Sequence, residues 1–188
     1  MKLYRAHEHK RMPWKNGGGE TVEIAVFPSG AGVDDFDWRI SMATVASDGP
    51  FSIFPGIDRT LSILDGAGIS LAMEGGEDVA LNGASLPLSF AADIAVAATL
   101  VDGPVTDLNV MARRGRYRHS VERVTGRFAV SREALSETVL LLAMGDALAT
   151  SGNQTTEMAA LDAVEVVDPM TIEANHTVCC VIRIMPQG

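Results

Sequence analysis

The sequence is poor in the residues that most often announce a chemistry. Among 188 residues only two are cysteine, and they are neighbours, Cys179 and Cys180. A disulfide between adjacent residues is strained. The pair therefore reads as alternating faces of a core strand in a reducing compartment. Histidine is nearly as scarce: His7, His9, His119 and His176. His7 and His9 form one H-x-H pair without an evident third ligand, His119 stands among arginines and His176 in a turn. A metal centre needs several ligands converging, so no metal and no cofactor is expected, and the histidines are expected at the surface. Lysine is absent after Lys15, and aromatics make up 5% of the chain. The richest apolar stretches, residues 94–101 and 139–144, fall short of the ~20 residues that span a bilayer. Residues 1–10 lack the apolar core of a secretory signal. The expectation is a cytoplasmic protein that does not engage membranes. No G-x-S-x-G appears, and Asn16-Gly17-Gly18-Gly19 lacks the Gly-Lys-Ser/Thr of a phosphate loop.

Charge narrows the partners further. Twenty-four acidic and fifteen basic residues give a formal net charge of −9, which argues against nucleic acid. One segment opposes the trend. Arg113, Arg114, Arg116, Arg118, Arg123, Arg127 and Arg132 fall within residues 113–132 with Glu122 as the one acid among them. It reads as a solvated connection between two halves, its arginines pairing with the acidic remainder, including across a dimer contact.

What is present is alternation. Residues 21–26 and 38–43 alternate apolar and polar, and short period-two runs follow at 61–64, 69–73, 86–90, 94–100, 105–112, 138–143, 163–167 and 178–184. Turn chemistry separates them: Asn16-Gly17, Ser29-Gly30, Asp48-Gly49-Pro50, Asp65-Gly66, Asn82-Gly83, Asp102-Gly103-Pro104 and Ser151-Gly152. The best helix candidate is residues 156–161. The pattern predicts an all-β sandwich, jelly roll or barrel. Residues 61–66 and 140–145 look alike at an offset of 79, a faint duplication.

Polar residues on strand-like runs carry the functional signal. Arg39 and Ser41 share one face, opposite Trp38, Ile40 and Met42. Asp107 and Asn109 share another, opposite Leu108 and Val110. Asp58 and Arg59 follow the apolar loop Phe54-Pro55-Gly56-Ile57. Two readings stay open. The residues line a preformed polar pocket, with arginine's planar fork suited to a carboxylate. Alternatively they form buried pairs, Arg39 with Asp107 or Asp58 with Arg59, that only satisfy themselves.

Four segments together resemble a known family. They are Arg11-Met12-Pro13-Trp14-Lys15-Asn16-Gly17-Gly18-Gly19-Glu20-Thr21, Phe36-Asp37-Trp38-Arg39-Ile40-Ser41-Met42-Ala43, Gly49-Pro50-Phe51-Ser52 running into Phe54-Pro55-Gly56-Ile57-Asp58-Arg59, and Asp102-Gly103-Pro104-Val105-Thr106-Asp107-Leu108-Asn109-Val110-Met111. In this order they resemble the HutD/Ves family over roughly residues 1–115. The resemblance implies a bicupin: two cupin-like, jelly-roll β-barrels in one chain, residues 1–114 and 115–188, usually dimeric. It implies a small-molecule-binding protein of histidine utilisation, a non-catalytic sensor or modulator of a small carboxylate such as formylglutamate. The alternative is a metal-independent enzyme acting on a small acid. The cupin metal motif G-x5-H-x-H has no counterpart here. The expected ligand-binding residues are Lys15, Asn16, Arg39, Ser41, Arg59, Asp107 and Asn109, with the glycines after Asn16 letting the loop close over the mouth.

Overall fold

Period-two alternation becomes strand almost wherever it occurs. The computed structural model describes residues 1–14 and 17–188. The strands are β1 (Lys2–Tyr4), β2 (Lys10–Pro13), β3 (Gly19–Phe27), β4 (Trp38–Val45), β5 (Gly49–Pro50), β6 (Ile57–Asp65), β7 (Ile69–Met73), β8 (Val79–Leu81) and β9 (Leu88–Ala91). They continue with β10 (Val96–Leu100), β11 (Val105–Arg113), β12 (Tyr117–Val130), β13 (Thr138–Ala143), β14 (Ala147–Ser151), β15 (Gln154–Met158), β16 (Ala163–Glu165) and β17 (Met170–Pro186). Among the described residues the one helical element is a 3-10 turn, Ala6–Glu8. The protein is all-β.

Two expectations change. Residues 156–161 are not helical: β14 and β15 form a tight hairpin, Thr150 opposite Thr155, turned at Gly152 with φ 56°. Thr155 and Thr156 are β-branched and lose more in a helix than in a pleated strand. The arginine-rich segment does run from one unit into the other, but as strand rather than as a solvated linker. Most of it is β12, hydrogen-bonded to β17. Its arginines do meet acids: Arg116 and Arg113 face Asp37, Arg114 holds both Asp58 and Asp93, and Arg127 faces Glu173.

The chain forms two units, Lys10–Tyr117 and Arg118–Gly188 joined by Met1–His9. The first nine residues thus belong with the C-terminal unit. Strand β1 pairs with β16, and Asp162 accepts hydrogen bonds from Arg5 and from the Ala6 amide. His9, expected at the surface, is buried, whereas His7 and His176 are exposed.

In the Lys10–Tyr117 unit a six-stranded sheet, β2-β3-β4-β11-β6-β9, accompanies a four-stranded sheet, β5-β10-β7-β8. Leu61 and Ile63 from the first meet Ile69, Leu71, Val96 and Ala98 from the second in one core. The second unit is a seven-stranded sheet whose core is built by Val139, Leu141, Ala149, Val164, Ile172 and Val181. Cys179 joins that core, and its neighbour Cys180 is buried as well. Burial pushes both thiols up to about 11, which leaves them unreactive.

The pairing pattern repeats between the units. β6 pairs with β11 and β9, and β13 with β17 and β16. β7 pairs with β10 and β8, and β14 with β17 and β15. One 17-residue strand, β17, does in the second unit what β10 and β11 do in the first. The similar hexapeptides of the sequence fall on β6 and β13 and the turns that follow them.

Candidate functional site

Strands β3, β4, β11 and β6 lie side by side, and their register puts the polar residues on one face. Glu23 stands opposite Ser41, and Ser41 opposite Asn109. Met111 lies between Arg39 and Arg59, and Asp107 between Ala43 and Ile63. Directly opposed residues share a face of the sheet. A cavity of about 510 Å³ opens over this face, lined by Arg39, Ser41, Arg59, Asp107 and Asn109, with Trp14, Thr21 and Met111. Its far wall is residues 47–52 and Phe54. That wall is pinned: the Leu100 amide donates to Asp48, the Phe51 amide to the Val96 carbonyl, and the Phe54 amide to the Ala92 carbonyl. The volume suits a small organic ligand.

Five of the seven expected residues therefore meet in one concavity. Lys15 and Asn16 lie outside the described residues. The pairings differ from those the sequence suggested. Arg39 donates through Nε to Glu23 at 2.8 Å and does not pair with Asp107. Asp58 accepts from Arg114, not from Arg59. Arg59 donates through Nε and a terminal nitrogen to Asn109 Oδ1, and Asn109 Nδ2 donates to Asp107 Oδ1. Asn109 thus links an arginine to an acid.

The electrostatics follow from burial. Arg59 is 8% exposed and Asp107 0%. Desolvation pushes the Asp107 carboxyl up to about 6, opposed by Arg59, the Asn109 hydrogen bond and the Ala43 backbone. The same desolvation lowers the pKa of Arg59. The guanidinium lies 4.5 Å over Phe51 and 5.7 Å from Phe90, so ring faces replace part of its lost hydration. Asp107 Oδ2 has no hydrogen-bond partner among the described residues. An unmet buried acceptor costs ~1–3 kcal/mol.

In the second unit the β13–β17 pair sets Val139 opposite Arg183. Two residues before Val139 stands Glu137. Glu137 accepts from Arg183 at 3.0 Å and from the Glu133 amide at 2.5 Å, and Arg183 also donates to the Ser131 carbonyl. Both carboxylate oxygens are used there.

Glu23, Phe51, Phe90 and Trp14 were not expected at the site. Glu23 was legible: it alternates with Thr21 on the face opposite Val22 and Ile24, and a charge there needs a partner. Phe51 and Trp14 sit in segments that carry the family resemblance, but nothing local says they turn inward. Among the described residues no group of three His, Cys, Asp or Glu is placed to hold a metal ion.

A family model described as HutD matches residues 6–181. A Pseudomonas putida protein described as an uncharacterized 21.2 kDa protein in the hutC 3' region is 37% identical over 146 residues, 76% of this chain and 73% of that protein. Protein Ves of Citrobacter koseri is 40% identical over 116 residues, 60% of this chain and 59% of its own length. Among solved structures, HutD from Pseudomonas fluorescens SBW25 superposes with a TM-score of 0.85 at 30% identity, covering 100% of this chain and 99% of the other. A cupin 2 conserved barrel domain protein from Leptotrichia buccalis superposes with a TM-score of 0.59 at 10% identity over 89% of this chain and 88% of that one. That likeness establishes a cupin-type β fold.

Proposed function

Because the chain belongs to the HutD family, we propose that it is a small-molecule-binding protein of histidine utilisation, a non-catalytic sensor or modulator that takes a small carboxylate such as formylglutamate. The observation that carries this reading is the cavity of the Lys10–Tyr117 unit, where two buried arginines share a concavity with aromatic and apolar walls. Among the described residues Arg39 is anchored through Nε, to Glu23, and in this reading its terminal nitrogens take the ligand. Arginine's fork matches a carboxylate in two parallel hydrogen bonds. Glu23 holds the fork in orientation, so little ordering entropy is lost on binding. The location of the Pseudomonas putida relative in the hutC 3' region supports the link to histidine utilisation.

The architecture we propose is a bicupin. The repeated strand pairing supports two related barrels.

One observation favours the metal-independent enzyme as a second reading. A carboxyl near pKa 6 inside a cavity has the poise of a general base. A thermal-shift screen of small carboxylates, followed by NMR of the ligand after prolonged incubation, separates the two. A shift in melting temperature with an unchanged ligand spectrum supports the sensor. Appearance of product supports the enzyme. No shift with any carboxylate overturns both.

A further inference from the structure

The charges of the cavity do not by themselves favour an anion. Among the described residues Arg39, Arg59, Asp48 and Asp107 line it, and Glu23 holds Arg39. Two cations thus face three acids. Arg39 pairs directly with Glu23, and Arg59 is linked to Asp107 through Asn109. The fork of Arg39 offers donors to a carboxylate, but its charge is already balanced, and a bound anion adds one negative charge to the space. Of the three acids, Asp48 is exposed in the wall, where the Leu100 amide donates to it. Glu23 is engaged by Arg39 at 2.8 Å. Asp107 is fully buried, and its Oδ2 has no hydrogen-bond partner among the described residues. That oxygen can carry a proton without breaking any contact, since Asn109 Nδ2 donates to Oδ1 in either protonation state. A neutral acid also costs less to bury than an ion.

We propose that an anion enters this cavity together with a proton, taken up by Asp107, so that occupancy of the site falls as pH rises through the neutral range. This rests on the carboxylate reading above and adds its regulation by pH. Asp107 does not touch the ligand; it acts through the charge it gives up. The charged groups that face it are Arg59 on β6, Arg39 on β4 and Glu23 on β3, with Asp48 in the opposite wall. Burial, opposed by Arg59 and by the Asn109 and Ala43 hydrogen bonds, sets the carboxyl at about 6. The repulsion of a second anion pushes it further up. Below 6 the proton is already in place and binding is strongest. Above 6 it must be drawn from solution, and affinity falls until the carboxyl of the bound state ionises as well.

The test is calorimetric titration of glutarate and of N-formyl-L-glutamate into the full chain between pH 6.5 and pH 7.5, in buffers of different ionisation enthalpy. The dependence of the heat on the buffer counts the protons taken up. The parent is expected to take up between about half a proton and one proton per ligand at pH 7, and to bind about fivefold more weakly at pH 7.5 than at pH 6.5. Asp107→Asn keeps the shape and removes the titration. It is expected to bind without proton uptake, and at pH 7.5 more tightly than the parent. Binding by the parent with no uptake and no change over this pH range overturns this inference and leaves the carboxylate reading standing. Uptake that persists in Asp107→Asn also overturns it. If neither ligand binds the parent at any pH, the carboxylate reading falls and this inference with it. Should Asp107→Asn not fold, infrared difference spectra of the parent at pH 7.5 decide. Appearance of the stretch of a protonated carboxyl on adding ligand supports the proposal, and its absence overturns it.

Discussion

Asp107 carries two opposed demands, because the position that orients it also desolvates it. Its carboxyl is raised to about 6 from an ordinary value of 3.8. Between those values the folded protein holds a proton that the unfolded chain has released, so stability falls as pH rises through this window. A shift of about two units corresponds to a loss on the order of 3 kcal/mol between pH 4 and pH 7. Urea unfolding at both pH values is expected to show that loss in the parent and little of it in Asp107→Asn. A parent that gains stability over the window relative to the variant contradicts the assignment. Arg39 makes a different prediction. Arg39→Lys keeps a positive charge but not the fork, and is expected to weaken carboxylate binding about tenfold; affinity equal to the parent would reduce Arg39 to a source of positive potential.

At the level of elements, the last glycine of the run within the first family-like segment has a steric role. Gly19 opens β3 opposite Val45, and a Cβ there would stand 2.0 Å from the Thr44 carbonyl oxygen and 3.1 Å from the Trp14 ring. Gly19→Ala is expected to cost about 1–3 kcal/mol, read as a lower urea midpoint, with Trp14 fluorescence altered; a midpoint equal to the parent's would contradict the close approach. The strands themselves were legible because a half-buried sheet imposes a period of two, and residues 38–43 and 105–112 kept it. The convergence of Arg39, Ser41, Asp107 and Asn109 was legible for the same reason: alternation fixes which side chains share a face. The pairings were not. Whether Arg39 meets Glu23 or Asp107 depends on which strands are neighbours and in what register, and a bulge in β3 after Glu23 shifts that register. Residues 156–161 were misread as helical because six residues can satisfy either period, and only the partner strand decides.

At the scale of the molecule, the N-terminal segment belongs to a unit more than a hundred residues away in sequence. No local pattern in residues 1–9 announces this. The pairing of β1 with β16 and the hold of Asp162 on Arg5 and Ala6 are long-range facts. Removing residues 1–9 is expected to strip Asp162 of those partners and expose the β16 edge. Hydrogen exchange should then rise in residues 138–165 more than in residues 57–65; a uniform rise would contradict the separate grouping. The polar cavity belongs to the Lys10–Tyr117 unit. The most direct measurement of the proposed ligand binding there is calorimetric titration of N-formyl-L-glutamate into the parent and into Arg39→Ala at pH 8. The account predicts one site per chain in the parent and at least a tenfold loss of affinity in the variant, whereas no heat of binding in the parent, or equal affinity in both proteins, contradicts it.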